Sequence, residues 1–132
     1  MCSFELWRPI AELRVSVLGL YDDGRFPGRC LIAVKAHEED FARLSNEDTS
    51  AFVCDIQAAA RAIQRVTQAP RINYAILGNV EPHIHAHLIP RSADDPIPKK
   101  SPWQHPEPVR PLGQRQADDI IRAIRERLLE RT

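Results

Sequence analysis

The stretch His83-Ile84-His85-Ala86-His87-Leu88-Ile89-Pro90 carries most of what this sequence discloses. On a β-strand successive side chains alternate between faces, so residues two apart share a face at a spacing of about 6.5 to 7 Å. His83, His85 and His87 therefore form one row of imidazoles. Ile84, Ala86 and Leu88 take the other face and are apolar, as a strand requires when one side lies on a core. Pro82 opens the strand. Just before it, Ile72 to Leu77 reads as another strand, stopped by Gly78-Asn79, and a connection of about five residues is typical of an antiparallel hairpin.

Further upstream the period changes. Phe52, Ile56, Ala59, Ile63 and Val66 recur at steps of four and three, the stripe of an amphipathic helix that Ser45 would cap and Pro70 would follow. Leu13 to Leu20 mixes β-formers with partial alternation and runs into the turn residues Asp22-Asp23-Gly24. Cys30 to Lys35 is short and almost wholly apolar, as expected of a central strand, and pairs antiparallel with that first run. Seven of the eleven prolines fall between Pro90 and Pro111. This segment, 90–111, reads as a long loop of little regular structure, a kind that is usually functional or mobile inside a compact domain. Ala117, Ile120, Ile121, Ile124 and Leu128 then define a second helix, about 114–131.

The 132 residues suit one domain, 1–132, with a core at about 12–91. Hydrophobic residues make up 43% and charged residues 27%, the balance of a chain that folds. Lys plus Arg number 18 and Asp plus Glu number 18, so no net field draws in a polyanion, and dedicated nucleic-acid binding is disfavoured. The longest apolar run, Val15 to Tyr21, is interrupted by Ser16 and Gly19 and falls far short of the roughly 20 residues of a membrane helix. No secretory signal is visible in Met1 to Pro9. Cys2, Cys30 and Cys54 are too sparse and odd a set for a disulfide framework. A cytoplasmic, reducing location is the expectation.

Three readings compete for the histidine row. A lone histidine on a sheet is usually a surface or satisfied core residue, but three in strict alternation argue against that. His-x-His on a strand can offer two imidazoles to a catalytic zinc, although Glu81 is the nearest carboxylate and no further ligand set is evident. Alternatively, one imidazole is a nucleophile and its neighbours orient or donate, which suits chemistry at phosphorus, where positioning and charge stabilisation dominate. A neutral imidazole is a competent nucleophile near pH 7.

At these residues the chain resembles the histidine triad (HIT) superfamily, whose signature alternates three histidines with apolar residues and ends in two more. His83-Ile84-His85-Ala86-His87-Leu88-Ile89 matches every position, and Pro90-Arg91 follows as in many members. The segment Pro27-Gly28-Arg29-Cys30-Leu31-Ile32-Ala33-Val34-Lys35-Ala36-His37 looks like a second family block. The resemblance spans roughly 12–91. It implies an α+β fold, an antiparallel sheet of about five strands with a long central helix and a C-terminal helix, and it implies a homodimer.

The resemblance also implies roles. His85 would attack the α-phosphorus of a purine nucleotide conjugate, a phosphoramidate or a dinucleoside polyphosphate, and water would release a nucleoside monophosphate. His87 would hydrogen-bond the phosphate or leaving group and assist proton transfer, and His83 would complete the triad. Histidine at position 87, where galactose-1-phosphate uridylyltransferase-type members carry glutamine, favours hydrolysis. Asn79 aligns with an asparagine used near the phosphate. Arg29 stands where many members carry an extra histidine, and is either a phosphate-binding cation or a solvated side chain. The alternative from another class is a nucleotide-binding regulatory protein with little turnover.

The resemblance implies no cofactor for that catalysis. Some members hold a structural zinc, and the matching positions here are Cys2, Glu5, His37 and His83, with glutamate in place of a second cysteine. Trp103, in the proline-rich loop, is of a kind that usually covers apolar surface or a partner subunit. Its functional reading is a lid over the substrate pocket or a partner subunit's contribution to it.

Overall fold

Cys30–Val34 is buried at every position, so this strand must lie inside a sheet with both faces covered. In the computed structural model, which describes residues 6–79 and 82–130, it is the third of five strands. β1 (Trp7–Glu12), β2 (Ser16–Tyr21), β3 (Cys30–Val34), β4 (Arg71–Ala75) and β5 (His85–Arg91) form one antiparallel sheet in the order β1-β2-β3-β5-β4. The expected antiparallel pairs are present: Leu18 faces Ile32 across β2 and β3, and Tyr74 faces Leu88 across β4 and β5. The α+β class and the five strands implied by the family resemblance hold.

Pattern reading alone recognises four of these strands. β1 escapes it because Trp-Arg-Pro-Ile-Ala-Glu contains Pro9, and the pairing slips between Pro9 and Ala11. Proline is tolerated in a strand at a sheet edge, which is where β1 lies. The strand expected from Leu13 begins at Ser16, because Leu13 is spent on a tight turn, its N–H donating to the Ser16 carbonyl at 2.8 Å. The β4–β5 connection is also longer than five residues, since β4 stops at Ala75 and β5 starts only at His85. Gly78 takes φ +78° within that connection, a conformation that glycine alone adopts freely.

Helix α1 (Asn46–Thr67) starts where the capping chemistry says, with Ser45 Oγ accepting from the Asp48 N–H at 3.0 Å. It ends in a left-handed Gln68, ahead of Pro70. Its stripe of Phe52, Ala59 and Ile63 packs with Leu18, Leu20, Ile32, Val34, Ala86 and Leu88, the even-numbered face of the sheet. Phe52 is fully buried, and truncating such a residue to alanine typically costs about 3 to 5 kcal/mol. Asp55 on the same helix is buried and accepts from Ser16 Oγ at 2.7 Å and from the Val15 N–H at 2.9 Å, which ties α1 to the start of β2. Helix α2 (Gln114–Leu129) adds Ala117 and Ile124 to the same core. No helix among the described residues is long and apolar enough to cross a membrane.

The proline-rich segment contains one short 3-10 turn, Pro102–Gln104, and is otherwise irregular, as its composition predicts. It is nonetheless gathered around a single buried cation. Arg91, the last residue of β5, donates from Nε to Asp95, from Nη1 to Asn73 Oδ1 at 2.7 Å and the Lys100 carbonyl at 2.8 Å, and from Nη2 to the Ile97 carbonyl at 2.6 Å. Backbone carbonyls that a loop would leave to water are thereby satisfied inside the fold.

Candidate active site

The odd-numbered residues of β2 to β5, and of β1 up to its slip after Pro9, face away from the helices. Pro9, Gly19, Leu31, His87 and Ala75 lie opposite one another across successive strands and form one row. Trp7 lies against Gly19 on this face, where a Cβ would meet its ring atoms at 2.5 to 2.7 Å. Only glycine permits that approach. The result is an aromatic platform two strands away from His87.

The triad is more enclosed than a solvent-facing row. His83 is 8% and His85 6% exposed, and His87 is half-buried. His83 precedes β5, and its Nε2 bonds the Val34 carbonyl at 2.5 Å, where β3 ends. His85 Nδ1 lies 2.7 Å from the His83 carbonyl. A carbonyl can only accept, so His85 Nδ1 bears the proton and the ring's lone pair resides on Nε2. The His85 and His87 rings are 5.3 Å apart, inclined at 63°.

Around His87 the loops contribute as much as the sheet. Trp103 sets its ring edge-on to His87 at 5.1 Å, so the tryptophan of the proline-rich loop covers the site itself. Tyr21 stands 6.1 Å from His87 on the adjoining side. Arg29 is 3% exposed, which overturns the reading of it as a solvated side chain. Its Nη1 donates to Asp23 Oδ2 at 2.9 Å and its Nη2 lies 3.1 Å from His87 Nδ1, while its guanidinium sits 4.1 Å above the Tyr21 ring. Burial, then the positive charge of Arg29, with a lesser electrostatic contribution from the neighbouring His85 ring, lower the His87 pKa to about 3. Asp23 is fully buried, and burial works to raise its pKa, but hydrogen bonds and charge from Arg25, with the charge of Arg29, hold the carboxyl below its ordinary value.

Asp23 and Tyr21 were not singled out by sequence reasoning. Asp23 read only as turn chemistry, and its spacing from Arg29 has no local periodicity to reveal it. Asn79 is exposed in the β4–β5 connection and makes no side-chain hydrogen bond among the described residues. Cys2 and Glu5 lie outside the described residues. Of the other two positions suggested for zinc, His37 is exposed and His83 has given Nε2 to Val34. No three His, Cys, Asp or Glu side chains among the described residues gather as a metal site.

A five-stranded antiparallel sheet whose penultimate strand and its approach carry three alternating histidines on one enclosed face is the histidine triad arrangement. The HIT domain family matches residues 10–94, and the chain belongs to it. Among solved structures, a histidine triad protein from Bradyrhizobium japonicum is similar with a TM-score of 0.86 at 22% identity, covering 94% of this chain and 92% of its own. One from Sinorhizobium meliloti gives 0.84 at 22% identity, covering 92% and 90%. The diadenosine triphosphate hydrolase of Plasmodium falciparum gives 0.67 at 16% identity, covering 94% and 78%. No curated protein matches the chain by sequence.

Proposed function

We propose that the chain hydrolyses nucleotide conjugates, phosphoramidates or dinucleoside polyphosphates, through a covalent nucleotidyl-His85. The observation that carries this reading is the 2.7 Å bond from His85 Nδ1 to the His83 carbonyl, which leaves the nucleophilic lone pair on Nε2. His85 Nε2 attacks the α-phosphorus in line. The N–P bond forms, the bond to the leaving nitrogen or oxygen breaks, and the leaving group takes its proton from water. The phosphorylated ring is then a cation whose Nδ1–H still faces a carbonyl oxygen, which stabilises the intermediate. Water attacks phosphorus, the N–P bond breaks, and a nucleoside monophosphate departs with the proton lost to solvent.

His87 enters as a neutral group. A ring with a pKa of about 3 does not carry a second proton near pH 7, so it serves as a hydrogen-bond donor to the phosphoryl oxygens rather than as a proton relay. Trp7, lying against Gly19 in the row that leads to His87, provides the surface for the base. The similarity to the Plasmodium falciparum hydrolase lends support at the level of fold.

One nitrogen of each triad histidine already has a partner in the protein: Val34, His83 or Arg29. That favours acid–base and nucleophilic roles over a metal held by the triad. Purified protein should release adenosine monophosphate from an adenosine phosphoramidate or from diadenosine tetraphosphate, with the rate unchanged by chelator. Nucleotide binding with no release from either would replace the enzyme with a binding protein.

A further inference from the structure

Arg29 is held more tightly than phosphate binding alone would need. Its backbone N–H donates to the Phe26 carbonyl at 2.9 Å and its carbonyl accepts from the Tyr21 N–H at 2.8 Å. Its guanidinium is bonded to Asp23 and lies over two rings, 4.1 Å from the Tyr21 centroid and 5.4 Å from that of Trp103. Asp23 in turn receives the Arg25 N–H and Nε at 3.0 Å and Nη2 at 2.9 Å. Arg29 Nε is buried without a partner among the described residues. Leaving such a donor unsatisfied costs stability, and the one thing this placement achieves toward the site is the contact from Nη2 to His87 Nδ1.

That contact has a definite chemical meaning. An arginine has five donors and no acceptor, so a ring nitrogen bonded to it must be the unprotonated one. The proton of neutral His87 is then on Nε2. Two residues away, the His83 carbonyl imposes the opposite choice on His85. One strand thus carries two histidines in opposite tautomers, set by partners of opposite polarity: a lone pair on Nε2 of His85 and a hydrogen on Nε2 of His87.

We propose that Arg29, anchored by Asp23, is a positioning residue that acts through His87, holding its ring neutral with the proton on Nε2 as a fixed donor toward the reacting phosphoryl group. The catalytic significance rests on the reading of His85 and His87 given above. The tautomer does not. Among the described residues, the titratable and charged groups facing His87 are Arg29, His85 and Tyr21, with Asp23 behind Arg29; Trp103, from the loop, brings no charge. Replacing Arg29 removes both the fixed donor at Nδ1 and the cation that opposes ring protonation.

The test is imidazole ¹⁵N NMR of the full chain from pH 4.5 to 8, with kinetics alongside. Wild-type His87 should be neutral with Nδ1 unprotonated across this range. In Arg29→Met, a stem of similar length, the ring should sample both tautomers and its titration should move up toward the ordinary histidine range. On a substrate that the wild type turns over, kcat should fall about 10- to 100-fold with a smaller change in KM, the pattern of lost orientation. An acid limb should also appear in its pH profile. Arg29→Gln, which keeps a donor without the charge, is the second variant should Arg29→Met not fold, and the His87 titration should rise in it too. A wild-type His87 protonated on Nδ1, or variants whose tautomer and titration match wild type, would overturn the proposal. If the wild type turns over nothing, the NMR arms still decide the Arg29–His87 pairing, and the hydrolase reading alone is lost.

Discussion

His85 Nδ1 donates to the carbonyl of His83, two residues back on its own chain, at 2.7 Å. The proposed nucleophile is therefore oriented by the same histidine that joins the approach to β5 to the end of β3 through Val34. The orientation of His85 and the closure of the sheet thus share one short piece of backbone.

His83→Ala should accordingly be felt in stability before chemistry. The Val34 carbonyl loses a buried partner, which typically costs about 1 to 3 kcal/mol. Urea unfolding of the variant should show a lower midpoint at an unchanged slope. An unchanged midpoint would mean that the Val34 bond contributes nothing net.

The contact of Trp7 with Gly19 is a second sensitive point. In Gly19→Ala the new methyl would meet the Trp7 ring at 2.5 to 2.7 Å, so the ring must move off the platform. Overpacking of this kind costs about 1 to 3 kcal/mol. Nucleoside monophosphate affinity, followed by calorimetry, should drop in the variant, whereas retained affinity would remove Trp7 from the base site.

Arg91 predicts the behaviour of the proline-rich loop. Arg91→Ala would leave Asp95 buried without its cation and strip the Ile97 and Lys100 carbonyls of their donor. Removing one partner of a buried pair costs about 3 to 5 kcal/mol. Hydrogen exchange should accelerate across 92–104 and the Trp103 emission should shift toward that of solvent-exposed indole. A loop that stays protected in the variant would contradict this organising role.

The pH dependence of stability follows from His87. Its pKa in the fold is about 3, below the ordinary value of 6.5, so between these values the unfolded chain binds a proton that the folded chain refuses. Stability from this group is therefore complete above about pH 6.5 and declines as pH falls toward 3. Urea titrations at pH 7.5, 6 and 5 should show the decline, and His87→Gln should flatten it. Equal slopes with pH in the two proteins would place the proton uptake elsewhere.

Much of this was legible in the residues. Strict alternation at His83, His85 and His87 exposed the triad, and the Phe52–Val66 stripe and Ser45 cap located α1 and fixed its first residue. What escaped has a physical reason in each case. Pro9 masked an edge strand whose pairing comes from β2 rather than from its own propensity. Arg29 and Trp103 meet at His87, with Asp23 behind Arg29, through chain reversals and a long loop, and contacts of that kind leave no period in a sequence. Arg29 was visible as an oddity, an arginine where a histidine is usual, but its burial and its partner emerge only from tertiary packing.

The most direct test of the central claim sets wild type beside His85→Ala on an adenosine phosphoramidate and on diadenosine tetraphosphate, following adenosine monophosphate release. Denatured samples quenched during turnover would be examined for nucleotidylated protein. Wild type should turn over at least one substrate and show a transient adduct on His85, while His85→Ala stays folded, still binds nucleoside monophosphate, forms no adduct and loses turnover. Hydrolysis by His85→Ala at the wild-type rate would contradict the account.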